Sequence, residues 1–152
     1  MRLIVAAVGR WKSAPERSLY EHFARRIAFP LELKEIEERK KLPPRALIRR
    51  EGELLLAAAP KGAVVVALDE RGKPLSSVAF AKRLGQWRDD GVRDLVFVIG
   101  GAEGLDEIVR KKAGLTLSLG PMTWPHLMVR AMLVEQIYRA QAILSGHPYH
   151  RP

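Results

Sequence analysis

Between Asp94 and Leu105 the chain runs through Leu95-Val96-Phe97-Val98-Ile99, then Gly100-Gly101-Ala102-Glu103-Gly104, before Leu105-Asp106-Glu107 opens a helix-compatible segment. A continuous apolar, partly β-branched run bounded by glycine marks a strand buried on both faces, and such strands belong to parallel sheets covered by helices. Three glycines in five positions give the loop after it little side-chain bulk and access to positive φ. In open α/β sheets ligands sit at the carboxyl ends of strands, so this loop is either a ligand crevice or a turn that needs glycine only for geometry. It fits neither Gly-x-Gly-x-x-Gly nor Gly-x-x-x-x-Gly-Lys-Ser/Thr. Glu103 also makes a phosphate cradle a poor match and favours a less anionic ligand.

The rest of the chain repeats the strand-then-helix rhythm. Arg2 to Val8 reads as a strand closed by Gly9. Ser13-Ala14-Pro15-Glu16 reads as a helix start with Ser13 capping, and Leu19, Tyr20, Phe23 and Ile27 follow at helical spacing. Leu31 to Ile36 alternates apolar and charged residues, as an edge strand with one wet face does. Arg45 to Ala59 is predicted helical, and Ala63 to Leu68 is a second apolar strand stopped by a turn at Asp69-Glu70-Arg71-Gly72. Ser76 or Ser77 caps a helix to Asp90. A helix from Leu105 to Lys112, a strand from Thr116 to Leu119 and a long helix from His126 to Leu144 complete the order. This is α/β, with a mostly parallel sheet flanked by helices in a single domain over residues 1–152.

The chain has no cysteine, which removes disulfides, thiolate chemistry and Cys-based zinc sites. Its apolar start is too short to span a membrane and reads as a first strand, so a cytoplasmic protein is expected. Lys and Arg number 26 against 17 Asp and Glu, a formal charge of +9. That excess suits a polyanionic partner such as nucleic acid, or reflects a bias of the whole proteome or an adaptation to heat. Part of it is local, with Arg39, Lys40, Lys41, Arg45, Arg49 and Arg50 inside one short stretch.

The last helix leaves only Arg130, Glu135, Gln136, Arg139 and Gln141 clearly polar. A helix apolar most of the way round needs cover on more than one side, which predicts either a two-fold dimer through it or a central place in a monomer. The tail after it, residues 145–152, concentrates His147, Tyr149, His150 and Arg151. Guanidinium for phosphate and an aromatic ring for base stacking fit that set better than a metal site does.

Four segments in order carry a resemblance: Val66-Ala67-Leu68-Asp69 with Gly72-Lys73-Pro74; Ile99-Gly100-Gly101-x-Glu103-Gly104-Leu105; Leu119-x-x-x-Thr123-x-Pro125-His126; and His147-Pro148-Tyr149-His150-Arg151. Together they closely resemble the bacterial large-subunit ribosomal RNA pseudouridine N3 methyltransferases, of the SPOUT class. The resemblance implies a carboxyl-terminal trefoil knot, which general topology rules would not suggest. It implies S-adenosylmethionine as cofactor, held by Leu68, Gly100, Gly101 and the loop Leu119, Gly120, Pro121, Met122, Thr123, Trp124 and Pro125, largely through backbone groups. It also implies a homodimer, with the tail as an active-site element and the site shared between subunits, and ribosomal RNA within the assembled ribosome as substrate. No metal and no membrane enter.

On this reading the acceptor nitrogen must lose a proton, and His150 is the expected base because imidazole titrates near working pH. Arg151 and Tyr149 would hold the target base or a phosphate, with Glu135 and Arg139 lining the same site. Two alternatives keep the fold but change the role: a non-enzymatic ribosome-associated factor, and a relative acting on another rRNA or tRNA nucleotide.

Overall fold

A computed structural model describes residues 1–152. Its elements are β1 (Arg2–Val8), α1 (Pro15–Ala24), β2 (Leu31–Ile36), α2 (Pro44–Ala57), β3 (Val64–Pro74), α3 (Ser77–Asp89), β4 (Asp94–Ile99), α4 (Glu107–Lys112), β5 (Leu115–Ser118) and α5 (His126–Ser145). Five strands form one sheet in the order β2-β1-β4-β3-β5, and every neighbouring pair is parallel.

The apolar runs are continuous because both faces of the sheet are covered. From β1, Leu3, Val5 and Ala7 enter one core with α1, α3 and α5, while Ile4, Ala6 and Val8 enter a second core with α2 and α4. β4 divides the same way, with Leu95, Phe97 and Ile99 on the first face and Val96 and Val98 on the second. Each of the larger side chains fully buried there contributes about 1.5–3 kcal/mol of transfer free energy. β2 alternates because it lies at the sheet edge, as its sequence predicts.

Three local expectations are corrected. α1 is capped at Ala14, with no side-chain cap from Ser13; Pro15 occupies the first turn, and its missing N–H needs no partner. The turn expected at Asp69 to Gly72 is a bulge inside β3. Leu68 and Lys73 both pair with Leu117, and Pro74 continues the ladder against Ser118. The excursion between is held by Asp69, whose carboxylate accepts from the Arg71 N–H at 2.9 Å and from its guanidinium at 2.8 Å. α4 begins at Glu107 behind an Asp106 cap that accepts from the Ile108 N–H, leaving Leu105 buried outside the helix. Of the two serines before α3, Ser76 is the cap.

β1 connects toward β2 on one side of the sheet, whereas β4 connects past β3 to β5 on the other. The connections also leave to opposite faces, since α1 packs with α5 and α4 with α2. Adjacent parallel strands whose connections diverge leave a crevice at their carboxyl ends. The glycine loop emerges from that crevice. No helix is long and apolar enough to cross a membrane.

Candidate functional site

A cavity of about 680 Å³ opens at the carboxyl ends of β3, β4 and β5. Three loops wall it: Leu68 to Arg71 after the apolar part of β3, Ile99 to Leu105 after β4, and Leu119 to His126 before and into α5. A volume in the range of ordinary small-ligand sites, with Leu68, Ile99, Leu117, Leu119 and Val129 as apolar wall, suits one compact organic ligand.

The loop glycines serve two different needs. A Cβ on Gly100 would lie 2.5 Å from the Gly104 carbonyl oxygen, and one on Gly101 would lie 2.9 Å from Val8 Cγ1. At both positions the backbone approaches too closely for any side chain. Gly104 has open space around it but a φ of +84°, which glycine adopts without strain. Across the cavity, Ser118 Oγ donates to the Glu70 carbonyl at 3.1 Å and Thr123 Oγ1 donates to the Glu70 carboxylate at 2.8 Å, tying the third loop to the β3 bulge.

In a chain of net charge +9, this cavity presents carboxylates. Asp69 is paired with Arg71, and Arg110 stands 3.7 Å away; the Arg71 hydrogen bonds hold the Asp69 carboxyl below its usual range. Glu103 has no ion pair. Behind the glycine loop, Glu51 of α2 places Oε2 3.6 Å from where a Cβ on Gly101 would stand. Burial first, and the charge of Glu103 second, push the Glu51 carboxyl up.

At the β1 side of the cavity stands His126, the first residue of α5. Its Nε2 is 3.5 Å from the Cβ position that Gly9 leaves empty, and neither ring nitrogen hydrogen-bonds within the chain. One turn along, Arg130 is completely buried. Its guanidinium donates to Glu35 at 3.0 Å and to the Val8 and Gly9 carbonyls at 3.0 and 2.8 Å, and it lies over the Trp11 ring at 4.6 Å. Its Nε alone lacks a partner. Burial, then the Arg130 charge, push the His126 imidazole below its ordinary value, favouring the neutral ring.

The tail forms a second cluster. Arg139 donates to Glu135 at 2.8 Å, the Tyr149 hydroxyl donates to Glu135 at 2.9 Å, and Arg139 lies 4.8 Å over the Tyr149 ring and 3.2 Å from His150 Nδ1. Tyr149 also packs edge-on against Tyr138 at 4.7 Å. Its phenol is raised, by burial first and the Glu135 hydrogen bond second. Arg151 is exposed, with no hydrogen bond or ion pair.

Of the residues expected to hold a cofactor, Leu68, Gly100, Gly101, Leu119, Gly120, Met122, Thr123, Trp124 and Pro125 line the cavity, and Pro121 does not. Glu135, Arg139, Tyr149 and His150 come together, but away from that cavity. Nine residues of α5 separate Glu135 from His126, about 13 Å of helix. Glu135 instead lines a second cleft of about 600 Å³, with Leu19, Phe23, Leu75 and Met132, which touches the first only through Leu117, Leu119 and Gly120. Sequence reasoning gave no role to His126, although a histidine opening a helix straight after a binding loop is the available signal. The bulge residues Glu70 and Arg71 were hidden by their reading as a turn.

Comparison with known proteins bears on this arrangement. Residues 1–150 match the family described as "Predicted SPOUT methyltransferase". The chain is 60% identical over 151 residues to a Rhodospirillum centenum protein named ribosomal RNA large subunit methyltransferase H, covering 99% of each. It is 55% identical over 152 residues to a Paramagnetospirillum magneticum protein of the same name, covering 100% of each. Among solved structures, that of a probable methylase family protein from Haemophilus influenzae matches with a TM-score of 0.58 at 12% identity, over 99% of this chain and 70% of that one.

Proposed function

We propose that this chain, which belongs to the SPOUT methyltransferase family, transfers a methyl group from S-adenosylmethionine to N3 of a pseudouridine in large-subunit ribosomal RNA. The carrying observation is the glycine-walled cavity with the Glu103 carboxylate unpaired at its rim. Its backbone walls suit an adenosine recognised through N–H and C=O groups, and its carboxylates suit a ligand bearing sulfonium and ammonium charges. When bound, S-adenosylmethionine supplies an electrophilic methyl carbon. Leu68, Gly100, Gly101 and the Leu119–Pro125 loop would hold it and exclude water.

Glu135, Arg139, Tyr149, His150 and Arg151 recognise the RNA. The Tyr149 and His150 rings can stack on a base, and free Arg151 can take a phosphate. Because this cluster stands a long way up α5 from the cavity of its own chain, the tail serves the cavity of a second copy. The dimer forms through α5, supported by the apolar second cleft and by Met128, which is 38% exposed on that helix. The trefoil knot belongs to the same proposal, supported by the bonds from Ser118 and Thr123 that bind the Leu119–Pro125 loop to the β3 bulge. The exposed, unpaired Arg39, Lys40, Lys41 and Arg45 give an electrostatic footprint for RNA, and the work is cytoplasmic.

Calorimetric titration with S-adenosylmethionine, joined to mass spectrometry of ribosomal RNA from cells with and without the gene, tests the proposal. Binding, together with loss of one N3-methylated pseudouridine from the deleted strain, is expected. An unchanged pseudouridine with another nucleotide losing its methyl group overturns the target; no binding at millimolar cofactor overturns the cofactor.

A further inference from the structure

The geometry points to His126 as the group that accepts the proton of the acceptor nitrogen, an assignment that rests on the methyl transfer proposed above. The tail histidine is poorly placed for that role in its own setting. Arg139 Nη1 lies 3.2 Å from His150 Nδ1, and a guanidinium can only donate, so Nδ1 is the acceptor and the ring proton of neutral His150 sits on Nε2. His150 thus presents a donor, suited to a base carbonyl or a phosphate oxygen.

His126 differs on each count. It lines the cofactor cavity, both its ring nitrogens are free of intramolecular hydrogen bonds, and Nε2 stands 3.5 Å from the Cβ position that Gly9 leaves empty. It stands where the cavity meets the β1–α1 loop, which carries exposed Arg10 and Lys12, a natural entry for an RNA base. The ring is backed by a guanidinium that three hydrogen bonds hold still. The charges around it are Arg130 on its own helix, Glu35 of β2 behind that arginine, and Asp69, Glu70, Arg71 and Glu103 in the cavity wall. No carboxylate makes an ion pair with His126, and burial followed by the Arg130 charge favours its neutral form.

In the step assigned, His126 Nε2 takes the N3–H proton as the N–H electron pair remains on N3. That pair forms the new bond from N3 to the methyl carbon as the carbon–sulfur bond breaks, and its electrons return to sulfur. The imidazolium, next to Arg130, then gives its proton to water. General-base assistance of this kind is worth about 10²–10⁴ in rate.

Three readouts on the full-length protein test this: the His126 ring titration by NMR without cofactor, the pH profile of kcat/KM for methylation of ribosomes from the deleted strain, which like the NMR reports the free enzyme, and calorimetric S-adenosylmethionine affinity, for wild type and His126→Asn. The wild-type NMR midpoint is expected below the ordinary histidine value and to coincide with the acid limb of the rate profile. His126→Asn is expected to lose at least about a hundredfold in rate and to lose that limb, with cofactor affinity within about threefold. A variant that keeps the rate or the limb overturns the assignment, as does an equal loss of rate and affinity, which marks a mere wall residue. A wild-type limb displaced from the NMR midpoint overturns it without any variant. A wild type that binds cofactor but methylates another nucleotide refutes the target alone.

Discussion

Alanine at Gly100 and asparagine at Gly104 separate the two reasons this loop is glycine-rich. At Gly100 the backbone dihedrals lie outside the left-handed region, so any cost is steric: the added methyl would stand 2.5 Å from the Gly104 carbonyl oxygen and 2.7 Å from its carbon. Reaching ordinary contact at 3.4 Å requires a shift of about 0.9 Å between two backbone segments that cannot rotate away. Overpacking of this kind costs about 1–3 kcal/mol, and where cofactor binding needs the original loop shape, the same energy weakens affinity by about 5- to 150-fold. A Cβ added at Gly104 would meet nothing within 4 Å, and the residue has a φ of +84°. Asparagine tolerates that conformation better than other side chains, so Gly104→Asn is expected to cost under about 1 kcal/mol. Calorimetric titration with S-adenosylmethionine and thermal melts of both variants give the comparison. Wild-type affinity and melting in Gly100→Ala, or a greater loss in Gly104→Asn, would falsify the assignment of close approach to the first position and φ to the second.

Two further expectations concern stability. The buried Tyr20 phenol is pushed up to about 12, chiefly by burial, so its contribution is fully present below the unfolded value near 10 and is lost as pH rises through the folded one. Tyr20→Phe should abolish about 2–3 kcal/mol of alkaline destabilisation between pH 10 and 12, read by urea melts across that window. Glu51 is raised as well, so its ionised form opposes folding at neutral pH. Glu51→Gln should raise the melting temperature at pH 7 to 8, and the gain should shrink toward pH 4; an unchanged difference across that range would refute the burial argument.

How far the chain announces its structure depends on where each side chain points. β1 and β4 were legible because both faces are buried and, after Arg2 and Asp94 at their starts, every residue is apolar, and β2 because an edge strand has one wet face. β3 was read only as far as Leu68. Beyond it Asp69 to Gly72 are charged or small because the bulge lifts them from the core, and charge with glycine resembles a turn. Ser13 looked like a cap until Pro15 fixed the helix start one residue later. The lining of the cavity at the ends of β3, β4 and β5 was legible almost residue by residue, since its walls are three contiguous loops. The separation of the tail from that cavity was not, because it follows from the length of α5 and from where His150 meets Arg139. Arg130 looked like one of a few polar positions on a helix. That it is fully buried follows from two carbonyls at the end of β1 and a carboxylate on β2, far apart in sequence, converging on one guanidinium.

The strand order also sets a schedule for synthesis. β4 is the keystone of the sheet, lying between β1 and β3, yet it is the fourth strand to be made. Arg2 and its register partner Asp94 are 92 residues apart, so at about 5–20 residues per second the inner edge of β1 waits about 5–18 s for its neighbour. During that interval β1 can pair only with β2, while β3, among the most apolar segments, has neither partner. The nascent chain therefore carries open apolar strand edges until β4, and after it β5, leave the ribosome. β5, which closes the last open edge of β3, runs directly into the Leu119–Pro125 loop, so the apolar edges are covered just as the last wall of the cavity is made.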